Sequence, residues 1–334
     1  MRLLLAGLFL LLGAGVLEAQ KADSVWIRNG DRITGEVEGL SRGLLEYSTD
    51  DLGTIHIEWD KVDRISTTTL VEVVLTSGER YYGRLEPDDS GWLTLRGQSL
   101  PLSLIVEMRP IKSKLLGRLS GYLDLGFSYQ KANQTVQLTT GAQVVYRART
   151  TESAFQISTF LEDRDDADQT SRLASSFTER LLLSNRWSTG FVVGYDINDE
   201  LDLEGRGRLA VFAAQTFVQS NHVELYVSGG TLLTLESYFS TDSSTTGLEG
   251  QLGASFRAFR HDQPKLDVVV STQVYPSFTV EGRVRMQNDI RASYELIKDF
   301  MLTATLFDAY DSEPPTEDAP TNDFGTTLAI TWTY

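Results

Sequence analysis

The long C-terminal part of this 334-residue chain, from Gly121 onward, alternates apolar and polar residues. The alternation runs in segments of about 10 to 16 residues that turn residues separate, and it has no convincing helical period. Successive side chains of a β-strand point to opposite faces, so each segment predicts a strand with one apolar and one polar face. Such segments are typical of transmembrane β-barrels, in which lipid covers the apolar face.

About twelve such segments follow Leu119, and we therefore predict an all-β chain. Residues 113–334 are expected to form an antiparallel transmembrane β-barrel of about 12 strands, and residues 20–112 a small periplasmic β-domain. An even number of strands places both ends of a barrel on the same side of the membrane. The expected location is the outer membrane, with the N-terminal domain in the periplasm.

The last segment, NDFGTTLAITWTY, alternates most clearly and ends on an aromatic residue. This ending is similar to the signal that the barrel assembly machinery of outer membranes recognises. A soluble β-sandwich would bury the same face against a second sheet, and the pattern alone does not separate the two. The predicted assembly signal consists of Phe324, Leu328, Ile330, Trp332 and Tyr334.

Two segments carry charges on their polar face, which must line water or form ion pairs. Unpaired arginines would favour anions in a pore. Pairs with Glu204, Asp289 and Glu295 would instead close the lumen, and a narrow or plugged lumen is our first interpretation. The small-solute or anion channel is the alternative. The candidate residues are Glu204, Arg206 and Arg208 in one segment, and Arg283, Arg285, Asp289, Arg291 and Glu295 in the other.

The first 19 residues predict a signal peptide that is cleaved before Gln20. Arg2 precedes an apolar run from Leu3 to Leu17, which is too short to span a bilayer comfortably, and a small residue, Ala19, follows. The chain has no Cys, which excludes disulfides, thiolate metal sites and acylation as a lipoprotein. Its net charge of −16 repels phosphate backbones, so we expect no nucleic-acid partner.

The predicted periplasmic domain contains a loose repeat, at about 24–66 and 71–111. Each copy has a short strand, a turn (Asn29-Gly30 or Ser77-Gly78) and further alternating strands. Asn-Gly and Ser-Gly are hairpin signals, because Gly adopts positive φ without steric cost. The pattern weakly resembles small Sm-like or SH3-like barrels, and we interpret the domain as a periplasmic spacer or contact module.

The turns of the C-terminal part alternate between short and mostly longer, acidic ones, which is the asymmetry of periplasmic turns and extracellular loops. The acidic stretches lie at 162–169, 198–202, 240–245 and 311–322. Their carboxylates suit Ca²⁺ or Mg²⁺, but no EF-hand spacing is present, so we expect solvated charge and no metal site. The weak metal candidates are Asp163, Asp165, Asp166 and Asp168.

The sequence shows no catalytic motif. His56, His222 and His261 have no ligand spacing around them and fall away from the predicted outer loops. A hydrolase at the outer rim needs a base within reach of its nucleophile, and this geometry disfavours it. We expect no enzyme activity and no cofactor.

The tract SYELIKDFMLTATLFDAYDSEPP, followed by NDFGTTLAITWTY and preceded by SNRW near 185, resembles the domain-of-unknown-function family 481. The likeness covers roughly Gly121 to Tyr334. Members of that family are described as salt-induced outer-membrane proteins. The resemblance implies an outer-membrane barrel, and it supplies neither a catalytic site nor a substrate.

The sequence thus predicts an outer-membrane protein with a structural role in the Gram-negative envelope. The expected partners are outer-membrane lipid and lipopolysaccharide, which would contact the barrel, and the barrel assembly machinery. The N-terminal domain would contact a periplasmic protein or peptidoglycan.

Overall fold

The computed structural model describes residues 22–89, 91–111, 118–131, 135–163, 170–199, 203–239, 241–298, 300–313 and 321–332. Within these segments the chain is all-β, as predicted, with 23 strands and two single 3-10 turns. They contain no helix with the length and apolar character needed to cross a bilayer. The predicted signal peptide, 1–19, lies outside the described residues.

The N-terminal domain contains eleven short strands in two halves with the same order. In each half a hairpin is followed by further short strands, a 3-10 turn and a closing strand that pairs back with the first strand of the half. The Sm-like or SH3-like comparison stays a prediction. The first half comprises β1 (Asp23–Ile27), β2 (Arg32–Ser41), β3 (Leu44–Ser48), β4 (Thr54–Glu58) and β5 (Val62–Ser66). The second comprises β6 (Val71–Leu75), β7 (Arg80–Gly83), β8 (Glu86–Pro87), β9 (Trp92–Leu95), β10 (Gln98–Pro101) and β11 (Ile105–Pro110).

The two halves share one hydrophobic core and an eight-stranded sheet, while β8, β9 and β10 form a separate three-stranded sheet. Strand β2 pairs with β11, so the halves are joined in the order β4-β3-β2-β11-β6-β7. The buried Trp59 indole donates to the Leu102 carbonyl at 2.8 Å, which links the two 3-10 turns. Asp23, also buried, accepts hydrogen bonds from the backbone amides of Val37 and Thr68. A polar group that is buried in this way is stabilising because each of its acceptors is satisfied.

The C-terminal part forms one antiparallel sheet of twelve strands in sequence order, which confirms the predicted number. Each strand pairs with its neighbours in the chain, as consecutive hairpins do. Among the described residues, the first and last strands do not pair with each other. The strands are β12 (Leu119–Gln130), β13 (Thr135–Arg147), β14 (Thr151–Asp163), β15 (Thr170–Leu182), β16 (Trp187–Asn198), β17 (Leu203–Gln219), β18 (Val223–Tyr238), β19 (Thr241–Arg260), β20 (Leu266–Pro276), β21 (Val284–Ile297), β22 (Phe300–Asp311) and β23 (Asn322–Trp332).

The register of this sheet collects bulky side chains on one face, which we call the apolar face. Phe155, Phe177 and Val193, for example, lie directly opposite one another on three neighbouring strands. Phe127 and Leu328 on the two outermost strands are each 72 % exposed. The opposite face, which we call the polar face, carries the arginines and carboxylates of the neighbouring strands.

One end of the sheet lies against the N-terminal domain, and we call it the near end. Its turns are short, at 148–150, 184–186, 220–222 and 261–265. The predicted loop at 240–245 is wrong, because β19 begins at Thr241 and pairs with β18 from there. Ser244 and Thr245 pair with Ser237 and Glu236 of β18 as other strand residues do, so a polar composition was a misleading signal. Most residues of the acidic stretches at 162–169, 198–202 and 311–322 lie outside the described residues.

Candidate functional site

Two arginines of β17 form ion pairs with neighbouring strands on the polar face. Arg206 lies directly opposite Glu236 of β18, and its Nε is 2.6 Å from Oε1 of that carboxylate. Arg208 reaches across to Asp196 of β16, with Nε at 2.7 Å from Oδ2. The predicted partner, Glu204, is exposed and sits at a β-bulge that takes it out of register. Both arginines are therefore paired with other carboxylates than the one predicted.

The arginines at the start of β21 are paired in the same way. Arg283 makes two hydrogen bonds to Asp311, at 3.0 and 2.6 Å. Arg285 forms a bidentate pair with Glu249 of β19, at 3.0 and 2.5 Å. The bidentate geometry uses the planar fork of the guanidinium and is the stronger arrangement. These four pairs connect six strands on the polar face in two groups, β16 to β18 and β19 with β21 and β22.

Two of the remaining predicted residues of β21 lack the expected ion pairs within the described part of the chain. Asp289 and Arg291 line a smaller cavity of about 300 Å³, and neither forms an ion pair with a described residue. Glu295 is buried, 2 % exposed, and accepts a hydrogen bond from the backbone amide of Lys265. The physical reason is spacing: side chains two apart on one strand are farther from each other than side chains directly opposite on neighbouring strands.

The weak metal candidates stay untested, because Asp165, Asp166 and Asp168 lie outside the described residues and Asp163 ends β14. Of the assembly signal, Tyr334 also lies outside them. The other four residues share the apolar face of β23, as predicted, and are all exposed.

The N-terminal domain is docked on the near end of the twelve-stranded sheet. The contacts come from four successive near-end turns, which the sequence identified as short turns without indicating what they bind. Arg186 Nη1 donates to the Thr76 carbonyl at 3.1 Å, and Asn221 Nδ2 donates to the Ile105 carbonyl at 2.9 Å. The other contacts are His261 Nε2 with the Arg42 carbonyl (2.9 Å), the Arg149 guanidinium over the Tyr82 ring (4.1 Å), and Lys61 Nζ with Asp262 (2.7 Å).

The Lys61–Asp262 contact changes the protonation of both groups. The hydrogen bond between them lowers the pKa of the Asp262 carboxyl and raises the pKa of the Lys61 ammonium. Burial, with Asp262 nearby, raises the pKa of Glu58. Glu58, Asp60 and Asp262 are close enough to hold a cation, but the Lys61 ammonium already pairs with two of them, Asp262 at 2.7 Å and Glu58 at 3.9 Å. We interpret the cluster as a docking contact.

A cavity of about 1230 Å³ lies between the N-terminal domain and the near end of the sheet. Residues of β2 and β11 line one side. Residues of the first two sheet strands and of β19, β20 and β22 line the other, so the sheet curls until its early and late strands face one cavity. Nine basic side chains line it: Arg42, Arg96, Arg109, Arg118, Arg147, Arg149, Arg257, Arg260 and Lys265. Four carboxylates line it: Glu38, Glu46, Glu72 and Asp267.

Some of these charges are neutralised inside the protein and others are not. Asp267 holds Arg257 through two hydrogen bonds, at 2.8 and 2.7 Å. No carboxylate of a described residue lies within ion-pair distance of Arg42, Arg260 or Lys265. The cavity is thus basic in a chain whose net charge is −16. Its chemistry is that of anion binding.

The cavity was missed by the sequence reasoning, because its basic residues are spread from position 42 to 265. The even number of predicted strands could have revealed this cavity. That number places the N-terminal domain and the short turns on the same side, and those turns are rich in arginine and histidine.

Comparison with known proteins gives a family and no function. Residues 123–334 match the family model described as "Protein of unknown function, DUF481". This range covers well over half of the chain and agrees with the resemblance inferred from the sequence. No curated protein and no solved structure matches the chain.

Proposed function

The chain belongs to the DUF481 family of proteins of unknown function, and on that premise we propose that it is an outer-membrane β-barrel with a structural role in the Gram-negative envelope. In this proposal the lumen is narrow or plugged, and the protein carries no catalytic activity. The N-terminal domain lies in the periplasm as a contact module.

The sidedness of the twelve-stranded sheet carries this proposal. Large apolar side chains occupy the apolar face on strand after strand and remain exposed, among them Phe127, Phe155, Leu209, Leu328 and Ile330. A soluble monomer rarely exposes a contiguous apolar patch of more than a few hundred Å². Hydrocarbon around a barrel would cover this face, while the ion-paired polar face would line the lumen.

Closure of the sheet into a barrel is the second part of the proposal. The edge strands β12 and β23 are exposed along nearly their whole length. Unpaired backbone groups of an edge cannot be satisfied in lipid, so a membrane location requires that these strands pair. The curl that brings Ser120 and Met301 to one cavity supports this closure.

The proposal of a plugged lumen is supported by two features. The cross-strand ion pairs of Arg206, Arg208, Arg283 and Arg285 occupy the polar face, and the N-terminal domain covers the near end. Twelve strands also enclose less space than the 16 to 18 of general porins. The barrel assembly machinery, outer-membrane lipid and lipopolysaccharide are the partners of such a barrel. A periplasmic protein or peptidoglycan is the proposed partner of the docked domain.

Cell fractionation tests the proposal. The full chain should be recovered in the outer-membrane fraction, should require detergent for extraction, and should migrate differently on gels before and after boiling. Recovery of the mature chain in an osmotic-shock extract without detergent would contradict it. Labelling of β12 and β23 surface positions by a lipid-phase reagent would give independent support.

An anion channel is the second candidate, and the basic cavity at the near end favours it. Planar-bilayer recording of the refolded full chain separates the two functions. The structural proposal predicts no steady ion current. An anion-selective current that decreases when Arg147 is replaced by Gln would favour the channel.

A further inference from the structure

The cavity between the two domains has the composition of a ligand site. Its volume of about 1230 Å³ is somewhat larger than that of ordinary ligand pockets, which measure roughly 300 to 1,000 Å³. Basic groups of both domains line it, together with apolar side chains that include Leu44, Leu70, Leu119 and Leu266. We propose that this junction cavity binds a phosphate-bearing anion. The inference goes beyond the proposed function and depends on the docked arrangement of the two domains, not on the location of the protein.

The first argument is the imbalance of charge. Arg42 from the β2–β3 turn and Lys265 beside β20 face the cavity from opposite domains, and no described carboxylate pairs with either. An anion that bridges these two groups would be held by both positive charges and would form charge-assisted hydrogen bonds with them. Because basic side chains outnumber carboxylates nine to four in the lining, electrostatic focusing also raises the local concentration of an anion.

The second argument concerns the type of basic group. Eight of the nine basic side chains that line the cavity are arginines. The guanidinium is a planar fork that binds phosphate oxygens in pairs, which a lysine ammonium does not do. Arg147 pairs through Nη1 with Glu152 at 3.0 Å, and its buried Nε has no hydrogen-bond partner among the described residues. This donor set fits phosphate better than a singly charged halide.

The third argument is that the cavity already contains one internal carboxylate in the proposed role. Asp267 binds Arg257 through both oxygens, in the geometry that an external anion would use. Removing this carboxylate would free the Arg257 fork and delete a negative charge from the cavity. The proposal therefore predicts one substitution that strengthens binding, which general damage to the fold would not do.

Calorimetric titration of the detergent-refolded full chain with pyrophosphate tests the site. We expect saturable binding that weakens as the salt concentration rises. Arg42→Gln should weaken it about tenfold, which corresponds to the loss of one charge-assisted hydrogen bond. Asp267→Asn should tighten it several-fold. Arg64→Gln is the matched control, because Arg64 lies on the same domain, pairs with Asp63 and does not line the cavity.

A second experiment distinguishes a lipid headgroup from a soluble anion as the source of the phosphate. The full chain is inserted into phosphatidylcholine nanodiscs with or without phosphatidylglycerol, and retained lipid is measured by native mass spectrometry. Retention of phosphatidylglycerol that Arg42→Gln abolishes would identify a lipid headgroup, whereas pyrophosphate binding alone would identify a soluble anion. Absence of both, or equal losses in Arg42→Gln and Arg64→Gln, would overturn the proposal. Heat-modifiable gel mobility of each variant confirms that it is folded.

Discussion

Phe212 of β17 lies on the polar face between two glycines of the neighbouring strands. Gly190 of β16 is directly opposite on one side and Gly230 of β18 on the other. The Arg180 guanidinium lies 5.9 Å from the ring centre. A side chain at either glycine would meet the backbone of the adjacent strand, so the ring covers the space that the glycines leave. Such aromatic–glycine pairs help a sheet to twist and curl without a gap.

Gly230→Ala should destabilise the fold by about 1 to 3 kcal/mol, because the new methyl group would collide with the Val211 carbonyl oxygen. Gly207→Ala is the control, since nothing lies within 4 Å of a Cβ at that position. The measurement is the urea midpoint of the refolded protein, followed by heat-modifiable gel mobility. Equal midpoints for the two variants would contradict the packing described for Phe212.

The ion pair of Arg285 and Glu249 should also be sensitive to substitution. Glu249 is only 8 % exposed, so Arg285→Gln would leave a buried carboxylate without its partner. We expect a loss of about 2 kcal/mol, below the range for fully buried pairs because the arginine is partly solvated. The double variant Arg285→Gln/Glu249→Gln should lose less than the sum of the single variants in a thermal-unfolding cycle. Simple additivity would show that the pair contributes nothing.

At the scale of elements, the short near-end turns connect the strands and also hold the N-terminal domain. Each turn contributes a side chain to a carbonyl, a ring or an ion pair of that domain. Backbone carbonyls accept three of these contacts, so the docking depends on the conformation of the domain more than on the identity of its side chains. The turn at Arg42–Gly43 is an example, because both residues have positive φ and Gly43 packs against Asn221.

The docking should depend on pH through Asp262 and Lys61. The pKa of Asp262 is lowered in the docked state, so this carboxylate stabilises docking above about pH 4. That stabilisation is lost as pH falls through the lowered pKa. The pKa of Lys61 is raised in the docked state, so this ammonium stabilises docking below about pH 10. That stabilisation is lost as pH rises through the raised pKa. Glu58, whose pKa is raised, favours docking at acid pH and partly offsets the loss at Asp262. Between these limits docking should be constant.

Hydrogen exchange at the turns around Arg42 and Asn221 measures this dependence. Asp262→Asn should remove most of the acid-side change and leave the exchange at neutral pH only slightly faster, because an exposed pair contributes little. Asp63→Asn serves as the control, since its partner Arg64 lies outside the contact. A variant profile identical to that of the parent would exclude Asp262 as the group that titrates.

At the scale of the whole molecule, the central question is whether β12 and β23 pair. The chain has no Cys, so an introduced pair can form only one disulfide. Leu125→Cys on the apolar face of β12 is combined in turn with a Cys at Thr326, Leu328 or Ile330 of β23. A closed barrel predicts that one of these pairs cross-links in membranes, because opposed β-carbons lie within disulfide distance.

The control for closure uses positions on the opposite face of β23. Thr327→Cys and Ala329→Cys point to the polar face, so neither should cross-link with a Cys at Leu125. A cross-link at every position would indicate a mobile edge. A cross-link at none of the five positions would leave the two edges apart and remove the proposed barrel.

Much of the architecture could be predicted from the sequence, because its cause is local. The parity of Leu328, Ile330 and Trp332 assigns them to one face whatever the strand pairs with. Consecutive hairpins need only neighbouring segments, so twelve alternating segments predict twelve antiparallel strands in order. The loop predicted at 240–245 failed because Ser and Thr are compatible with both a turn and a strand.

The sequence by itself therefore determined the strand count, the faces and the family, since each depends on residues close together in the chain. Only the tertiary structure decided that Arg285 pairs with Glu249, that Asn221 holds Ile105, and that Arg42 and Lys265 share a cavity. Those contacts depend on register, twist and docking, which set distances between residues far apart in the chain. The local sequence determines which face a charged side chain occupies, but the tertiary structure determines which residue it pairs with.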